Sequence, residues 1–222
     1  MSDAHDVDGP HAGARVVTAG QPLHDASAAM ILAHGRGGSA EDILGLADAL
    51  QRPQLAYLAP QAVGHTWYPS SFLAPLERNE PHLGSALALL DVVVGQVIDA
   101  GIGHDRLLLA GFSQGACLTV EFAARNPRRY GGIAGLTGGL IGPDGTPRDH
   151  PGTFEGTPVF LGSADPDPHV PRPRVEESAE VLSAMGARVT TRIYPGMGHT
   201  INDDELDHVR GLVDAVDEGG ER

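Results

Sequence analysis

The sequence predicts an α/β fold: a single domain in which a mostly parallel central sheet carries helices on both faces. Short apolar runs alternate with longer segments of helical periodicity. Most of the runs are continuously apolar, as parallel strands buried on both faces are. Glycine, at 30 of 222 residues, is about twice as frequent as its usual ~7% share and indicates many tight turns. A regular alternation of strand and helix builds a layered sheet of this kind.

Seven segments have the pattern of strands. Each is a short, mainly apolar run bounded by glycine, proline or polar residues. The predicted strands cover residues 15–18, 28–33, 55–59, 106–111, 132–136, 158–162 and 188–194. No internal repeat and no shift in composition marks a second domain, so we expect one domain over residues 15–222. Residues 1–14 lack any periodicity and are predicted to form a flexible N-terminal tail.

Five segments have the periodicity and the end signals of helices. Ser39 precedes Asp42 at capping-box spacing, and Asn202 stands ahead of a turn of acidic residues, which favour the positive end of a helix dipole. The predicted helices cover residues 39–50, 81–100, 114–125 and 174–185, with a last helix beginning after residue 202. Residues 61–80 and 138–156 are irregular and rich in glycine and proline. Long loops on such a sheet usually shape a pocket.

The charge balance argues against several classes of partner. Fifteen basic residues face 29 acidic ones, which gives a net charge of −14, and 5% of the residues are aromatic. Such a surface suits neither phosphate contacts nor base stacking, so we expect no nucleic acid partner. The same balance disfavours a polybasic membrane anchor, and no uninterrupted apolar run approaches the ~20 residues that a spanning helix needs.

Cysteine and histidine usage indicates neither a disulfide nor a metal site. Cys117 is the single cysteine and cannot form an intrachain disulfide. The first ten residues have neither a cationic start nor an apolar stretch, which predicts no secretory signal and a cytoplasmic protein. The 11 histidines are scattered without the spacing of a zinc motif. We therefore expect no metal.

A serine follows the fourth predicted strand in a context that favours catalysis. The chain reads Gly111-Phe112-Ser113-Gln114-Gly115 and then enters a predicted helix, which is the strand, sharp turn and helix of a Gly-x-Ser-x-Gly nucleophile elbow. The glycines are needed because the turn strains the serine backbone and brings strand and helix close together. The alternative is a glycine-rich turn with a capping serine. The surrounding strand and helix favour Ser113 as a nucleophile.

A serine hydroxyl needs a base and an orienting acid, which in such a fold follow the serine in the order acid, histidine. His199 lies in a glycine-rich loop between the last predicted strand and the last helix, and is the candidate base. Asp165 and Asp167 follow the sixth predicted strand, and either could reach His199. The alternative for each aspartate is a solvated turn residue ahead of a proline.

The chain also offers hydrogen-bond donors for the oxyanion that forms in acyl transfer. One is the backbone N–H of Gln114, the residue after the candidate nucleophile. The other is the backbone N–H of Arg36, in the sequence HGRGG at residues 34–38, which follows the second predicted strand. This glycine-rich segment lacks the spacing of a phosphate-binding loop.

Five motifs follow one another along the chain: HGRGG at residues 34–38, PQA at 60–62 with TWYP at 66–69, GFSQGA at 111–116, DPHVP at 167–171 and GH at 198–199. In this order they resemble the phospholipase/carboxylesterase family of α/β hydrolases, which includes acyl-protein thioesterases and small bacterial carboxylesterases. The resemblance covers roughly residues 15–215. It implies an α/β hydrolase fold and a serine hydrolase activity without a cofactor.

The resemblance also implies roles for individual residues. The family's Asp-Pro-x-Val-Pro segment matches residues 167–171, which implies that Asp167 is the acid and Asp165 the alternate. By the same likeness the ring of Trp67 borders an acyl pocket, with Phe72 and Leu73 as its wall. Gly35 is a further expected substrate contact. The alternative for Trp67 is an ordinary loop anchor buried on the core.

One departure from the family and one neighbouring residue limit what the likeness implies. Where the family's thioesterases usually have His-Gly, this chain has Ser163-Ala164, which weakens the transfer of any one thioesterase's substrate range. Cys117 lies one helical turn beyond Ser113. We interpret it as a packed small hydrophobe rather than a nucleophile, because the elbow position is already a serine.

The sequence thus predicts a serine hydrolase that cleaves carboxylic esters through Ser113, His199 and Asp167 with an acyl-enzyme intermediate. The expected partner is a small-molecule acyl ester or thioester. One alternative is a thioesterase or lysophospholipase that acts on long-chain acyl substrates. Another is a non-catalytic binding module on a hydrolase scaffold, since fold does not dictate function. The oligomeric state is left open, with a homodimer as one alternative.

Overall fold

Residues 7–219 are described by a computed structural model, and within them one sheet of seven strands organises the chain. The spatial order is β1-β3-β2-β4-β5-β6-β7. β1 runs antiparallel to β3, and every other neighbouring pair is parallel. The strands are β1 Val16–Gly20, β2 Ala29–Ala33, β3 Ala56–Pro60, β4 Leu107–Phe112, β5 Gly132–Leu136, β6 Pro158–Asp165 and β7 Arg188–Pro195.

Five α-helices cover this sheet in the described part of the chain. They are α1 Ala40–Leu50, α2 His82–Asp99, α3 Gln114–Arg125, α4 Arg172–Ala184 and α5 Asp203–Gly219, and short 3₁₀ turns occupy Val63–His65, Leu76–Arg78 and His104–Arg106. The capping box predicted at the start of α1 is present: Asp42 N–H donates to Ser39 Oγ at 3.1 Å, and Ser39 N–H donates to Asp42 Oδ2 at 2.9 Å. The predicted α/β architecture is confirmed.

The core lies on both faces of the sheet. The inner strands β2, β3, β4 and β5 are buried almost throughout, which explains their continuously apolar sequences. On one face, α2, α3 and α4 supply side chains such as Leu89, Leu118 and Leu182 to a cluster of buried residues. On the other face, α1 and α5 supply Ile43 and Val213 to a second cluster. Helices therefore cover both faces, as predicted.

By length and composition, α2 is the one helix within residues 7–219 that could cross a membrane. Its apolar side chains face the core, where Leu83, Leu89 and Val93 are fully buried. A helix that packs one face into the centre of an α/β domain has this composition for that reason.

The N-terminal segment differs from the flexible tail predicted over residues 1–14. Within its described part, from Val7 onward, His11 is fully buried and its Nε2 donates to Trp67 O at 2.9 Å. The backbone N–H of His11 donates to Ser85 Oγ, which in turn donates to Asp8 O. The prediction failed because these are single polar contacts at irregular spacing, and no periodicity signals them. Residues 1–6 lie outside the described part.

The topology gathers four loops at one edge of the sheet. The chain leaves β3 on one side of β2 and returns as β4 on the other, so the carboxyl ends of β2 and β4 are neighbours and Ala33 pairs with Gly111. The loops after β6 and β7 leave from the same edge, because these strands run parallel to β4. Ligands of open α/β sheets bind outside the carboxyl ends of the strands at such a reversal of order.

Candidate active site

Ser113 sits at the turn between β4 and α3 in a backbone conformation that side chains rarely adopt. Its φ is 54° and its ψ is −117°, and residues held in such sparsely populated conformations cluster at functional sites. Ser113 N–H donates to Leu136 O at 2.9 Å on β5, and Cys117 N–H donates to Ser113 O at 3.0 Å inside α3. These bonds hold the turn from both sides, so the hydroxyl stands at the carboxyl edge of the sheet.

The two glycines of the elbow are required by close backbone contacts. A Cβ on Gly111 would lie 2.5 Å from the carbonyl group of Gly115, and a Cβ on Gly115 would collide with the backbone of Ala33 and His34. Neither glycine has a positive φ. Strand β4, helix α3 and the end of β2 approach too closely for any side chain, which is the cause predicted from the sequence.

His199 connects Ser113 to Asp167 through two hydrogen bonds. Its Nδ1–H donates to Asp167 Oδ2 at 2.8 Å, and Ser113 Oγ–H donates to His199 Nε2 at 2.8 Å. The carboxylate accepts from Nδ1 and thereby fixes the tautomer that leaves Nε2 free to accept from the hydroxyl. Residues 86 positions apart in the chain are thus brought into contact.

Of the two candidate acids, Asp167 contacts His199. Its side chain is fully buried and accepts backbone N–H bonds from His169 and Val170 at 2.8 Å. Burial alone would raise the pKa of Asp167, but the hydrogen bonds from His199, Val170 and His169 outweigh it, and the pKa lies below its ordinary value. Asp165 is the last residue of β6 and faces Arg172 at 3.4 Å.

Two backbone N–H groups beside Ser113 have no acceptor among the described residues. They belong to Arg36, in the loop after β2, and to Gln114, the first residue of α3. Both residues line the same cavity as Ser113. An unpaired N–H at a helix N-terminus carries partial positive charge and favours an anion. The predicted pair of oxyanion donors is therefore unoccupied by protein acceptors.

The side chains of these two residues hold the loop that follows the short helix Val63–His65. The guanidinium of Arg36 donates to three successive carbonyl oxygens, those of Tyr68, Pro69 and Ser70, at 2.9 to 3.2 Å. The amide of Gln114 donates to Tyr68 O at 2.7 Å and accepts from Trp67 N–H at 2.9 Å. Sequence reasoning assigned roles only to their backbones. The role of the Arg36 and Gln114 side chains in holding this loop was not predicted, because a hydrogen bond to a backbone carbonyl oxygen leaves no signature in the sequence.

A cavity of about 550 Å³ opens around Ser113 and His199. Gly35 and Phe72 line it, as the sequence analysis expected of substrate contacts. Its described lining also includes residues for which the sequence predicted no contact with substrate: Tyr68, Pro69, Ser70, Ser71, Phe112, Pro168, His169 and Val170. The ring of His169 lies edge-on to that of His199, with 4.8 Å between centroids. The one sequence feature that could have pointed to His169 as a cavity residue was its place inside the DPHVP motif at residues 167–171.

Trp67 and Leu73 are corrections, because neither is among the described residues that line this cavity. Trp67 is fully buried, its indole N–H donates to His34 O at 2.8 Å, and its ring packs on that of His34 with centroids 4.9 Å apart. Leu73 packs against the core. Trp67 therefore fits the alternative given for it, a loop anchor buried on the core. The polar atom of its side chain, the indole N–H, is satisfied by a backbone carbonyl.

Cys117 lines the cavity but is a protonated thiol at neutral pH. Burial raises the pKa of Cys117 to about 12, and only the thiolate is an effective nucleophile. The interpretation as a packed small residue agrees with this environment. Within residues 7–219, no group of three or more His, Cys, Asp or Glu side chains is arranged to hold a metal ion.

Comparison with known proteins places this chain in a family. Residues 11–216 match the family model described as Phospholipase/Carboxylesterase. The chain belongs to the phospholipase/carboxylesterase family. Its fold is therefore that of the α/β hydrolases, and esterases and thioesterases are among its relatives.

Among solved structures, this family member is similar to a phospholipase/carboxylesterase from Dyadobacter fermentans. The two chains are 46% identical with a TM-score of 0.87, and the match covers 90% of this chain and 96% of the other. Among curated proteins, it is 34% identical over 149 residues to acyl-protein thioesterase 1 of Gibberella zeae, a match that covers 62% of this chain and 60% of the relative. The matched part thus spans about three fifths of that thioesterase's length.

Proposed function

We propose that this member of the phospholipase/carboxylesterase family is a serine esterase that cleaves carboxylic esters through an acyl-enzyme on Ser113. The observation that carries the proposal is the continuous hydrogen-bonded chain Ser113 Oγ, His199, Asp167, with 2.8 Å at each step. Membership of a family of esterases and thioesterases supports it independently.

The proposed first half-reaction begins with attack of Ser113 Oγ on the ester carbonyl carbon. His199 Nε2 accepts the hydroxyl proton and then donates it to the leaving oxygen as the carbon–oxygen bond breaks. Asp167, with its pKa held below the ordinary value, stays ionised, fixes the imidazole tautomer and stabilises the transient imidazolium. Water then attacks the acyl-enzyme, again with His199 as the base, and releases the acid.

The tetrahedral intermediate carries a negative oxygen that needs donors already in place. The unpaired N–H groups of Arg36 and Gln114 would supply them, and loss of one such donor typically costs about 10²- to 10³-fold in kcat. The three carbonyl bonds of the Arg36 side chain and the two bonds of the Gln114 amide keep both residues fixed. Apart from the substrate and the attacking water, every group in the proposed mechanism belongs to the chain.

The direct test is hydrolysis of a p-nitrophenyl ester by Ser113→Ala. We expect kcat to fall by about 10⁴-fold or more, because the nucleophile is lost while the oxyanion donors and binding contacts remain. Circular dichroism of the variant serves as the control for folding. Turnover close to that of the wild type would contradict the proposal.

A thioesterase or lysophospholipase that prefers long acyl chains is the second candidate. The specific observations for it are the likeness to acyl-protein thioesterase 1 and apolar walls in the cavity at Phe72 and Val170. Oxygen esters and thioesters of the same acyl groups, from acetyl to palmitoyl, separate the two candidates. A kcat/KM that rises with chain length and is higher for thioesters would favour the second.

A binding module without catalysis remains the third candidate. It predicts that the wild-type protein retains an acyl ester unchanged, whereas the proposed esterase releases p-nitrophenol in amounts well above one equivalent per chain. Multiple turnovers that disappear in Ser113→Ala would exclude the module.

A further inference from the structure

A second cavity adjoins the one that contains Ser113, and the proposed mechanism makes no use of it. It has a volume of about 350 Å³ and lies between the loop after β2, helix α1 and the segment that follows His199. Gly35, Arg36 and Phe112 line both cavities. The two cavities are therefore adjacent, and these three residues form the wall that they share.

Three aliphatic side chains line this second cavity and not the first, while the ring nitrogens of His34, which also lines it, are hydrogen-bonded to Gly35 O and Ala62 N–H. Ile43, Leu46 and Ile201 contribute aliphatic surface, and Phe112 contributes its ring. Its cation, Arg36, has its guanidinium engaged by the three carbonyl oxygens described above. Asp42, also in the lining, is held by the cap of α1. These walls suit an uncharged hydrocarbon group, and the volume is more than twice that of the ~150 Å³ cavity known to hold benzene.

The position of His199 decides which part of an ester would enter this cavity. The leaving oxygen must come within hydrogen-bond reach of His199 Nε2 to receive its proton. Phe112 packs against the His199 ring with centroids 5.1 Å apart, and Ile201 follows two positions after the histidine. Phe112 and Ile201 thus place the second cavity next to His199, whereas Ser113 and His199 themselves line the first cavity. Phe72, Cys117 and Val170 line the other cavity alone and are available to the acyl chain.

We propose that the second cavity binds the apolar alkyl or aryl portion of the alcohol or thiol that leaves during acylation. This inference rests on the proposed esterase function and adds the substrate class: acyl esters with an uncharged, hydrophobic leaving group. Burial of apolar surface is favourable roughly in proportion to its area, so the contact raises kcat/KM for acylation more for leaving groups that bury more apolar surface.

Gly45 allows the cavity to be filled without disturbing the fold. It lies on α1, lines the second cavity, and a Cβ built on it meets nothing within 4 Å. Gly45→Leu therefore places a side chain over the cavity, and leucine is also a better helix residue than glycine. Gly211→Leu is the matched control: Gly211 lies on α5, its Cβ also meets nothing within 4 Å, and it is absent from the described lining of both cavities.

The experiment compares 2-naphthyl acetate with ethyl acetate in the wild type, Gly45→Leu and Gly211→Leu. Dividing each variant's kcat/KM by that of the wild type for the same ester cancels the intrinsic reactivity of the leaving group. We expect the naphthyl-to-ethyl ratio to fall about tenfold or more in Gly45→Leu, the range in which hydrophobic pockets discriminate, and to stay at the wild-type value in Gly211→Leu. Leu46→Ala, which removes apolar wall instead of filling the space, should lower the same ratio a few-fold.

Two outcomes would overturn the inference. One is an equal loss for both acetates in Gly45→Leu. The other is a loss that follows the length of the acyl group in phenyl acetate, butyrate and octanoate, which would assign the cavity to the acyl chain. Failure of the esterase proposal is seen separately and earlier, as wild-type protein that hydrolyses none of these esters.

Discussion

Two aspartates close to each other in sequence have opposite environments at this site. Asp167 is buried and accepts from His199 and from two backbone N–H groups, while the Asp165 side chain is 41% exposed and faces Arg172. Spacing alone left both open, because β6 was predicted to end at Gly162 and in fact continues to Asp165. That extension makes Asp165 a strand end and Asp167 a turn residue. Only the match to the family's Asp-Pro-x-Val-Pro motif indicated Asp167, and not Asp165, as the acid.

We predict that Asp167→Asn lowers kcat by about 10⁴-fold, because an amide can donate to Nδ1 and thereby favour the wrong imidazole tautomer. Asp165→Asn is the matched control and should leave kcat nearly unchanged. Steady-state hydrolysis of a p-nitrophenyl ester measures both. A larger loss in Asp165→Asn than in Asp167→Asn would show that the acid has been misassigned.

A buried glutamate beneath the His199 loop was not anticipated from the sequence. Glu205, in the first turn of α5, is fully buried, and its Oε2 accepts from Asn202 N–H at 3.0 Å while Oε1 has no partner among the described residues. Burial raises the pKa of Glu205 to about 7 despite the hydrogen bond from Asn202. The acidic first turn suggested only favourable dipole contacts, because burial of one of its members is a tertiary effect.

Glu205→Gln should stabilise the protein at pH 8 more than at pH 5. The folded pKa is above the unfolded value, so the folded state binds the proton more tightly, and stability is lost as the pH rises from about 4.5 to 7. Glutamine mimics the protonated acid and removes this loss. At roughly 1.4 kcal/mol per pKa unit, we expect the gain to be larger at pH 8 by about 2 kcal/mol in urea unfolding. The exposed Glu180→Gln is the control, and equal gains at both pH values would refute the prediction.

At the scale of elements, the elbow and the N-terminal segment represent the two extremes of what sequence can predict. The elbow was predictable because the close approach of β4, α3 and β2 requires glycine at two positions. That requirement appears in the sequence as the fixed Gly-x-Ser-x-Gly spacing. The segment from Val7 to Ala14 was not, because His11 is held by isolated contacts to Trp67 O and Val63 N–H. Trp67 lies between this segment and the His34 carbonyl, so the segment supports the loop that carries Arg36.

Acid should loosen this segment through His11. Burial lowers the pKa of His11, with His82 nearby adding to the effect. A folded pKa below the unfolded one means that the unfolded chain binds the proton more tightly, so this contribution to stability is full above about pH 6.5 and is lost as the pH falls. His11→Gln keeps a donor and an acceptor but cannot be protonated. Its Tm should therefore fall less than that of the wild type between pH 7.5 and pH 5.

The comparison with the wild type cancels the other titrating groups, including His34, whose pKa is also lowered by burial. His24→Gln is the matched control, because the ring of His24 is exposed. The same acid-induced loss of Tm in His11→Gln and the wild type would contradict a role for His11 in the pH dependence.

At the scale of the whole molecule, the topology is what assembles the site. The sequence predicted strands, helices and the order of the motifs, and parallel strands necessarily bring the loops after β2, β4, β6 and β7 to one edge. The second cavity and much of the wall of the first were beyond prediction, because they are lined by residues such as Ser70 and Ile201 in irregular segments. The net charge of −14 bears on encounter with charged substrates rather than on the reaction.

The central claim is that Ser113 alone becomes covalently acylated, and chemical labelling tests it most directly. The wild type, Ser113→Ala and Asp167→Asn are each incubated with one fluorophosphonate probe, and the adduct is located by peptide mass mapping. We predict one adduct per wild-type chain on Ser113, none in Ser113→Ala and much slower labelling in Asp167→Asn. An adduct on another residue such as Cys117, or no adduct in a preparation that still hydrolyses esters, would contradict it.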